Sequence, residues 1–212
     1  AKLLTDHVIV SASGGKDSVV TLDLCATAFK KVDAFFMYIV PDLEFQQRWI
    51  RWAEQRYSIT FHQLPHWMIG EFLMTGSFRL PDLSMNSIHV NQIYNHVRQL
   101  TGAHWIAAGE TISDSIYRRA MIKNTGTIDY KRGRIYPVAG FNREQIRNYI
   151  KFKQLRVSEE SEYLGFSFRA LMAHDLKNIK QVYPEDYEKI RAFYPFVDAE
   201  LKRAEWFDHE EN

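Results

Sequence analysis

The sequence predicts an α/β protein: a doubly wound parallel sheet of about five strands, with helices on both faces and a helical C-terminal extension. Three observations predict it. Short β-branched and aromatic runs alternate with helical patterns through the first 110 residues. The first run ends in a glycine turn that opens a helix, as parallel strand-to-helix units do. Beyond residue 156 no further strand pattern occurs, only helical spacing broken near Gly165, Pro184 and Pro195.

The elements follow in order. Residues 7–12 (HVIVSA) read as a buried strand, and 17–29 as a helix carrying Val19, Val20, Leu22, Leu24 and Cys25. Residues 34–40 (AFFMYIV) form a second buried strand, ended by Pro41. Asp42 is placed to cap a helix over 43–57. Residues 58–64 alternate and read as a third strand. Residues 65–84 hold Pro65, Gly70, Gly76 and Pro81 among Trp67, Met68, Phe72 and Phe78, and read as a long ordered loop or lid. A helix is expected over 86–100, a strand over 104–108, another over 134–138, and a helix over 143–153 capped by Asn142. Residues 1–156 are thus expected to form the α/β unit and 157–212 a helical extension packed on it.

Composition bounds the function. Of 212 residues, 46% are hydrophobic, enough for a real core. No run of 18 apolar residues exists to span a membrane, and Asp6 and His7 interrupt any signal-peptide pattern. A single cysteine, Cys25, excludes an internal disulfide and any zinc site built on several sulfurs; a cytoplasmic location is expected. The net charge of +1 hides a strong asymmetry. Residues 118–156 hold 11 Lys/Arg against 2 Asp/Glu, whereas 157–212 hold 7 against 13. The middle block suits an anion: a bound phosphate, a nucleic-acid backbone or an acidic partner protein. Self-association is left open.

The chemistry concentrates in Ser11, Ala12, Ser13, Gly14, Gly15, Lys16, Asp17 and Ser18. Glycines let the backbone turn tightly and approach a ligand. A helix start offers free N–H groups and a positive dipole end, and Lys16 adds a full cation. All of this suits phosphate. The plain alternative is a strand-to-helix turn with Asp17 and Ser18 as capping residues. A Walker A loop does not fit, because Asp17 follows Lys16 and only two glycines are present.

Residues Ser13 to Ser18 match S-G-G-x-D-S, the signature of the PP-loop ATP pyrophosphatases, and the wider chain resembles their phosphoadenosine phosphosulfate (PAPS) reductase branch over roughly residues 7–165. The resemblance implies that ATP lies across the first strand ends. The loop would hold the β and γ phosphates as leaving pyrophosphate while a nucleophile attacks the α phosphate. Lys16 and Asp17 would carry catalysis, Asp17 standing near a magnesium ion, and the backbone around Ile39, Val40 and Gly109 would complete the nucleotide site. Asp42, Glu44, Glu110, Asp114, Arg118 and Arg119 are the candidates for the acceptor substrate. Asp42 and Glu44 are equally explained as helix-capping residues, and Arg118 and Arg119 as a solvated helix end. Lys123, Lys131, Arg132 and Arg134, around Gly126 and Gly133, read as a flexible basic loop suited either to closing over ATP and its substrate or, equally, to contacting a nucleic-acid backbone. The branch usually has Arg soon after the glycine where this chain has Glu110 and Thr111, which leaves the identity of the acceptor open.

The branch's reductases attack sulfur with a C-terminal cysteine, and residues 157–212 contain none. Cys25 reads as a buried inert thiol. What the residues leave open is an adenylyl-transferring enzyme acting on an oxygen or nitrogen centre, a nucleotide-sensing module without turnover, or sulfur chemistry with a partner's thiol.

Overall fold

The structure is a computed structural model that describes residues 4–163, 165, 168 and 171–210. Six strands form one sheet in the order β3-β2-β1-β4-β6-β5. These are β1 (His7–Ser11), β2 (Lys31–Tyr38), β3 (Phe61–Pro65), β4 (Ile106–Ala107), β5 (Ile128–Asp129) and β6 (Arg134–Ile135). All neighbours pair in parallel except β5 with β6. Of the antiparallel edge pair, β6 falls within the strand expected over 134–138, whereas β5 lies outside the expectation, because its two residues carry no readable alternation.

Strand alternation decides which helices cover which face. Val8 and Val10 of β1, with Ala34 and Phe36 of β2, point to the side covered by α1 (Lys16–Ala28), α2 (Glu44–Tyr57) and α6 (Arg143–Lys153). Ile9 and Phe35 point the other way, against Ile93 and Val97 of α4 (Val90–Thr101). The fold is therefore doubly wound, as expected. Asp23 of α1 ties the first layer together by accepting from the hydroxyls of Tyr57 and Tyr149 at 3.0 and 2.8 Å.

Residues 65–84 depart from the loop expectation. Residues Trp67–Thr75 form α3, started by His66, whose Nδ1 accepts from the Met68 amide. Gly70 belongs inside this helix because the following segment folds back over it: a Cβ there would lie 2.8 Å from the Asn86 carbonyl oxygen. The expected Asp42 cap is also replaced. Asp42 sits at φ 58°, Leu43 precedes the first turn of α2, and the capping carboxylate comes from Asp186, which accepts from the Glu44 and Phe45 amides at 2.8 and 3.0 Å. Asp186 lies in α9 (Pro184–Phe193).

That contact shows how the C-terminal segment is held. Helices α5 (Ile116–Thr125), α7 (Glu159–Tyr163), α8 (Ala173–Val182), α9 and α10 (Asp198–Glu210) complete the described helices. Leu176, Ile179, Tyr187, Ile190 and Tyr194 build a second core around Ile39, Val40, Leu43 and Phe45. The end of the second strand run is thus consumed in anchoring the extension.

Candidate active site

Chain order places the site. The chain leaves β1 toward β2 and β3, then returns to β4 on the other flank of β1, so the topological switch point lies between β1 and β4. A cavity of about 630 Å³ opens at the carboxyl ends of these strands, a size that suits a nucleotide. Ser11, Ala12, Ser13, Gly15, Lys16, Asp17 and Ser18 line it from β1 and the start of α1, Ala108, Gly109 and Glu110 from the end of β4, and Phe35, Phe36 and Met37 from β2.

The loop is braced internally. Ser18 Oγ donates to the Gly15 carbonyl at 2.8 Å and accepts from the Ser13 amide at 3.2 Å. Its hydroxyl therefore holds the turn, rather than serving as a donor for a ligand. Gly15 precedes α1 without a side-chain cap, which leaves the first amides of the helix without a capping side chain. Gly14 has φ +76° and faces away from the cavity: a Cβ there would come within 2.7 Å of Ser158 Cβ. Its amide neighbourhood is closed instead by Ser158, whose N–H donates to the Gly14 carbonyl at 2.9 Å. Gly109 has a different reason. A Cβ on it would stand 3.0 Å from Asp17 C and Ser18 N, so only glycine lets the β4 end pass the first turn of α1.

Charge in the cavity is largely paired. Lys16 Nζ lies 3.3 Å from Asp17, Arg134 3.0 Å from Glu110, and Arg118 2.8 Å from Asp114. Burial works against ionisation of Asp114, but the Thr111 amide and hydroxyl together with Arg118 more than offset it and hold the carboxyl below its ordinary range. Arg134 lies with its guanidinium carbon 5.0 Å from the centre of the Tyr94 ring and 5.5 Å from that of Tyr136. Burial opposes its charge, yet Glu110 and the two phenols keep its pKa raised. Arg147 and Lys151 of α6 also line the cavity, and neither enters an ion pair among the described residues. The three carboxylates are matched, and the cavity keeps an excess of two cations.

Several expected site residues lie elsewhere. Ile39 and Val40 are fully buried in the second core, with the Ile39 carbonyl accepting from Tyr194 Oη at 3.4 Å; the backbone that reaches the cavity is three residues earlier, at Phe35–Met37. Asp42 turns its carbonyl to Lys189 Nζ, and Glu44 pairs with Arg51 outside the cavity. Arg119 donates to the Ile112 carbonyl at 3.1 Å and does not line the cavity, so Arg118 and Arg119 do not form one clamp. The flexible basic loop is replaced by the β5–β6 hairpin, pinned where Arg98 donates to the Arg132 carbonyl at 2.6 Å and Asp129 accepts from the Arg132 amide. Sequence reasoning missed Tyr94, His66, Arg147, Lys151 and Phe168 as lining residues. Only the spacing of four between Arg147 and Lys151 signalled a shared face.

Cys25 is 1% exposed, and burial pushes its thiol up to about 12. It lies in the α1 core and not in the cavity. Among the described residues no group of three His, Cys, Asp or Glu side chains could hold a metal ion, and no helix is long and apolar enough to cross a membrane.

Comparison with known proteins bears on the fold and the family. The fold is similar to that of the U34-tRNA thiolase NcsA from Methanococcus maripaludis, solved with its [4Fe-4S] cluster, at a TM-score of 0.51 and 15% identity, over 91% of this chain and 72% of that one. An NH3-dependent NAD synthetase from Campylobacter jejuni, solved with nitrate ion, aligns at a TM-score of 0.49 and 18% identity, over 94% of this chain and 83% of that one. No curated protein matches the sequence. The family model of the phosphoadenosine phosphosulfate reductase domain matches residues 7–159, from the start of β1 to the first residue of α7. With most of its length matched, and the glycine loop set at the switch point of a doubly wound sheet, the chain belongs to the phosphoadenosine phosphosulfate reductase domain family.

Proposed function

We propose that this protein cleaves ATP between the α and β phosphates and passes the adenylyl group to an oxygen- or nitrogen-centred acceptor. The observation that carries the reading is the uncapped start of α1, which opens on a nucleotide-sized cavity that Arg147 and Lys151 of α6 also line. The β and γ phosphates lie against the amides of residues 15–18, and Lys16 exchanges Asp17 for phosphate. A lone pair on the acceptor forms the new bond to the α phosphorus. The bond from that phosphorus to the bridging oxygen breaks, and its electrons leave on pyrophosphate. Nothing is oxidised, and no nucleophile on the protein is required. Preorganised amides and cations stabilise the charge that grows on the leaving group. Adenosine lies toward Phe35, Phe36 and Met37.

Asp17 is one partly exposed carboxylate beside the phosphate site, which suits a magnesium ion carried in on triphosphate oxygens. Bound there, the ion would neutralise phosphate charge. Residues 1–156 act as the nucleotide-binding unit, and the extension adds Val157, Ser161 and Phe168 to the lining of the cavity. The buried thiol of Cys25 argues against sulfur chemistry by this chain's own cysteine.

ATP labelled at the γ phosphate tests the reading. Labelled pyrophosphate with AMP supports it; labelled orthophosphate with ADP refutes it. Lys16→Ala and Asp17→Ala are each expected to lower turnover about 10²–10³-fold with thermal unfolding unchanged. Full activity in both variants would overturn the assignment of the loop.

A further inference from the structure

The Gly14–Gly15 peptide decides whether the loop shows its ligand a donor or an acceptor. This peptide is trans, with Gly14 at φ +76°. In a trans peptide the carbonyl and the N–H of one unit point in opposite directions. The Gly14 carbonyl turns to Ser158, which does not line the cavity, and accepts from its amide at 2.9 Å. The Gly15 amide therefore turns the other way. Gly15 lines the cavity, Gly14 does not, and the Gly15 amide finds no acceptor among the described residues. Two adjacent glycines let the peptide between them rotate at little steric cost. Rotated by half a turn, it would aim the Gly14 carbonyl at the phosphates and withdraw a donor. The bonds within the loop do not prevent this. Ser18 Oγ holds the Gly15 carbonyl and the Ser13 amide, which bracket the peptide and leave it untied.

Ser158 is held in turn by α2. Trp49 Nε1 donates to the Arg156 carbonyl at 2.9 Å. Arg48 donates through Nε and Nη2 to the two oxygens of Glu159 at 2.9 and 2.7 Å, and Tyr183 Oη reaches the same carboxylate at 3.1 Å. Gln46 Nε2 donates to Glu160 at 2.9 Å. Residues 156–160 thus form a strap fastened on both sides of Ser158. The Trp49 ring also stands against Gly14, 3.3 Å from where a Cβ would lie.

We propose that Ser158 is a positioning residue: its backbone N–H fixes the Gly14–Gly15 peptide so that the Gly15 amide meets the leaving pyrophosphate. Docking of the C-terminal extension is thereby a condition of phosphate binding. The inference rests on the assignment of the loop to the β and γ phosphates. Linkage makes the coupling reciprocal, so pyrophosphate in the loop tightens the strap.

Calorimetric titration with inorganic pyrophosphate and with AMP, which lacks the two phosphates in question, tests it. Ser158→Pro deletes the N–H. Pyrophosphate affinity is expected to fall about ten- to a hundredfold, the range for a hydrogen bond to a charged group, while AMP affinity stays within about twofold. Ser158→Ala keeps the N–H and is expected to hold pyrophosphate affinity within about threefold. Arg48→Gln loosens the strap without touching the loop; it should weaken pyrophosphate in the same sense, with Arg48→Lys recovering part of the loss. Hydrogen exchange over residues 157–163 of the wild type should slow when pyrophosphate binds. Unchanged pyrophosphate affinity in Ser158→Pro, an equal loss for pyrophosphate and AMP, or an equal loss in Ser158→Ala overturns the proposal. Should the melt show that Ser158→Pro does not fold, Arg48→Gln decides: faster exchange over 157–163 with pyrophosphate affinity intact refutes the coupling. A wild type that binds neither pyrophosphate nor AMP defeats the nucleotide reading and this inference with it. Equal binding of pyrophosphate by wild type and Ser158→Pro defeats this inference alone.

Discussion

Glu160 gives the sharpest test of the packing. It lies in α7, 1% exposed, with Oε2 accepting from Gln46 Nε2 at 2.9 Å and Oε1 without a side-chain hydrogen bond among the described residues. Burial lifts its carboxyl from 4.5 to about 8, and hydrogen bonds from Gln46 and Phe168 oppose the shift only in part. The native state therefore keeps a proton that the unfolded chain releases. The sign follows: this site costs nothing below about pH 4.5, erodes stability as pH rises from there, and levels off above about pH 8. At 1.36 kcal/mol per pH unit the interval amounts to ~5 kcal/mol; relaxation and water entry bring it to ~2–4 kcal/mol. Glu160→Gln keeps the shape and an acceptor for Gln46 but cannot ionise. Urea unfolding at about pH 5.5 and about pH 9 should show the variant within ~1 kcal/mol of wild type at the lower pH and ~2–4 kcal/mol more stable at the higher. Parallel stability of the two proteins across this range would refute a buried, protonated Glu160.

Three further outcomes follow from named contacts. Gly109→Ala drives a methyl into the Asp17 and Ser18 backbone, so ATP affinity measured by calorimetry should fall about ten- to a hundredfold; unchanged affinity would show that the close approach does not shape the site. Asp186→Ala removes the acceptor for two amides at the start of α2 and should lower stability to urea by ~1–2 kcal/mol, with Asp186→Asn recovering part of it. Cys25→Ala should leave turnover intact, and wild-type Cys25 should resist alkylation until the protein unfolds; rapid labelling of the native protein would contradict a thiol held near 12.

The readable parts of the sequence were those with local causes. Val8–Val10 and Phe35–Phe36 announce buried strands through continuous apolar runs. Asn142 announces α6 because its side chain and that of Gln145 complete a capping box within four residues. Residues Trp67–Thr75 hid as a helix because Gly70 and an almost wholly apolar surface erase the 3.6-residue period. Strand β5 hid because its pairing with β6 is held by Arg98, which donates to the Arg132 carbonyl between the two strands, and not by a pattern in its own two residues.

The sequence by itself determined the strand-to-helix order and the glycine turn at the head of α1, because a left-handed backbone and a helix start are encoded by adjacent residues. Tertiary structure alone decided what that turn faces. Asp186 caps α2 from 142 residues away, Gly14 is reserved for contact with Ser158, and Glu110 neutralises Arg134 across 24 residues. Chain folding also lifts Ile39 and Val40 out of the site into a second core and sets Arg147 and Lys151 in their stead at its wall. Such choices depend on which distant group arrives to satisfy an amide or a charge, and no local pattern records that arrival.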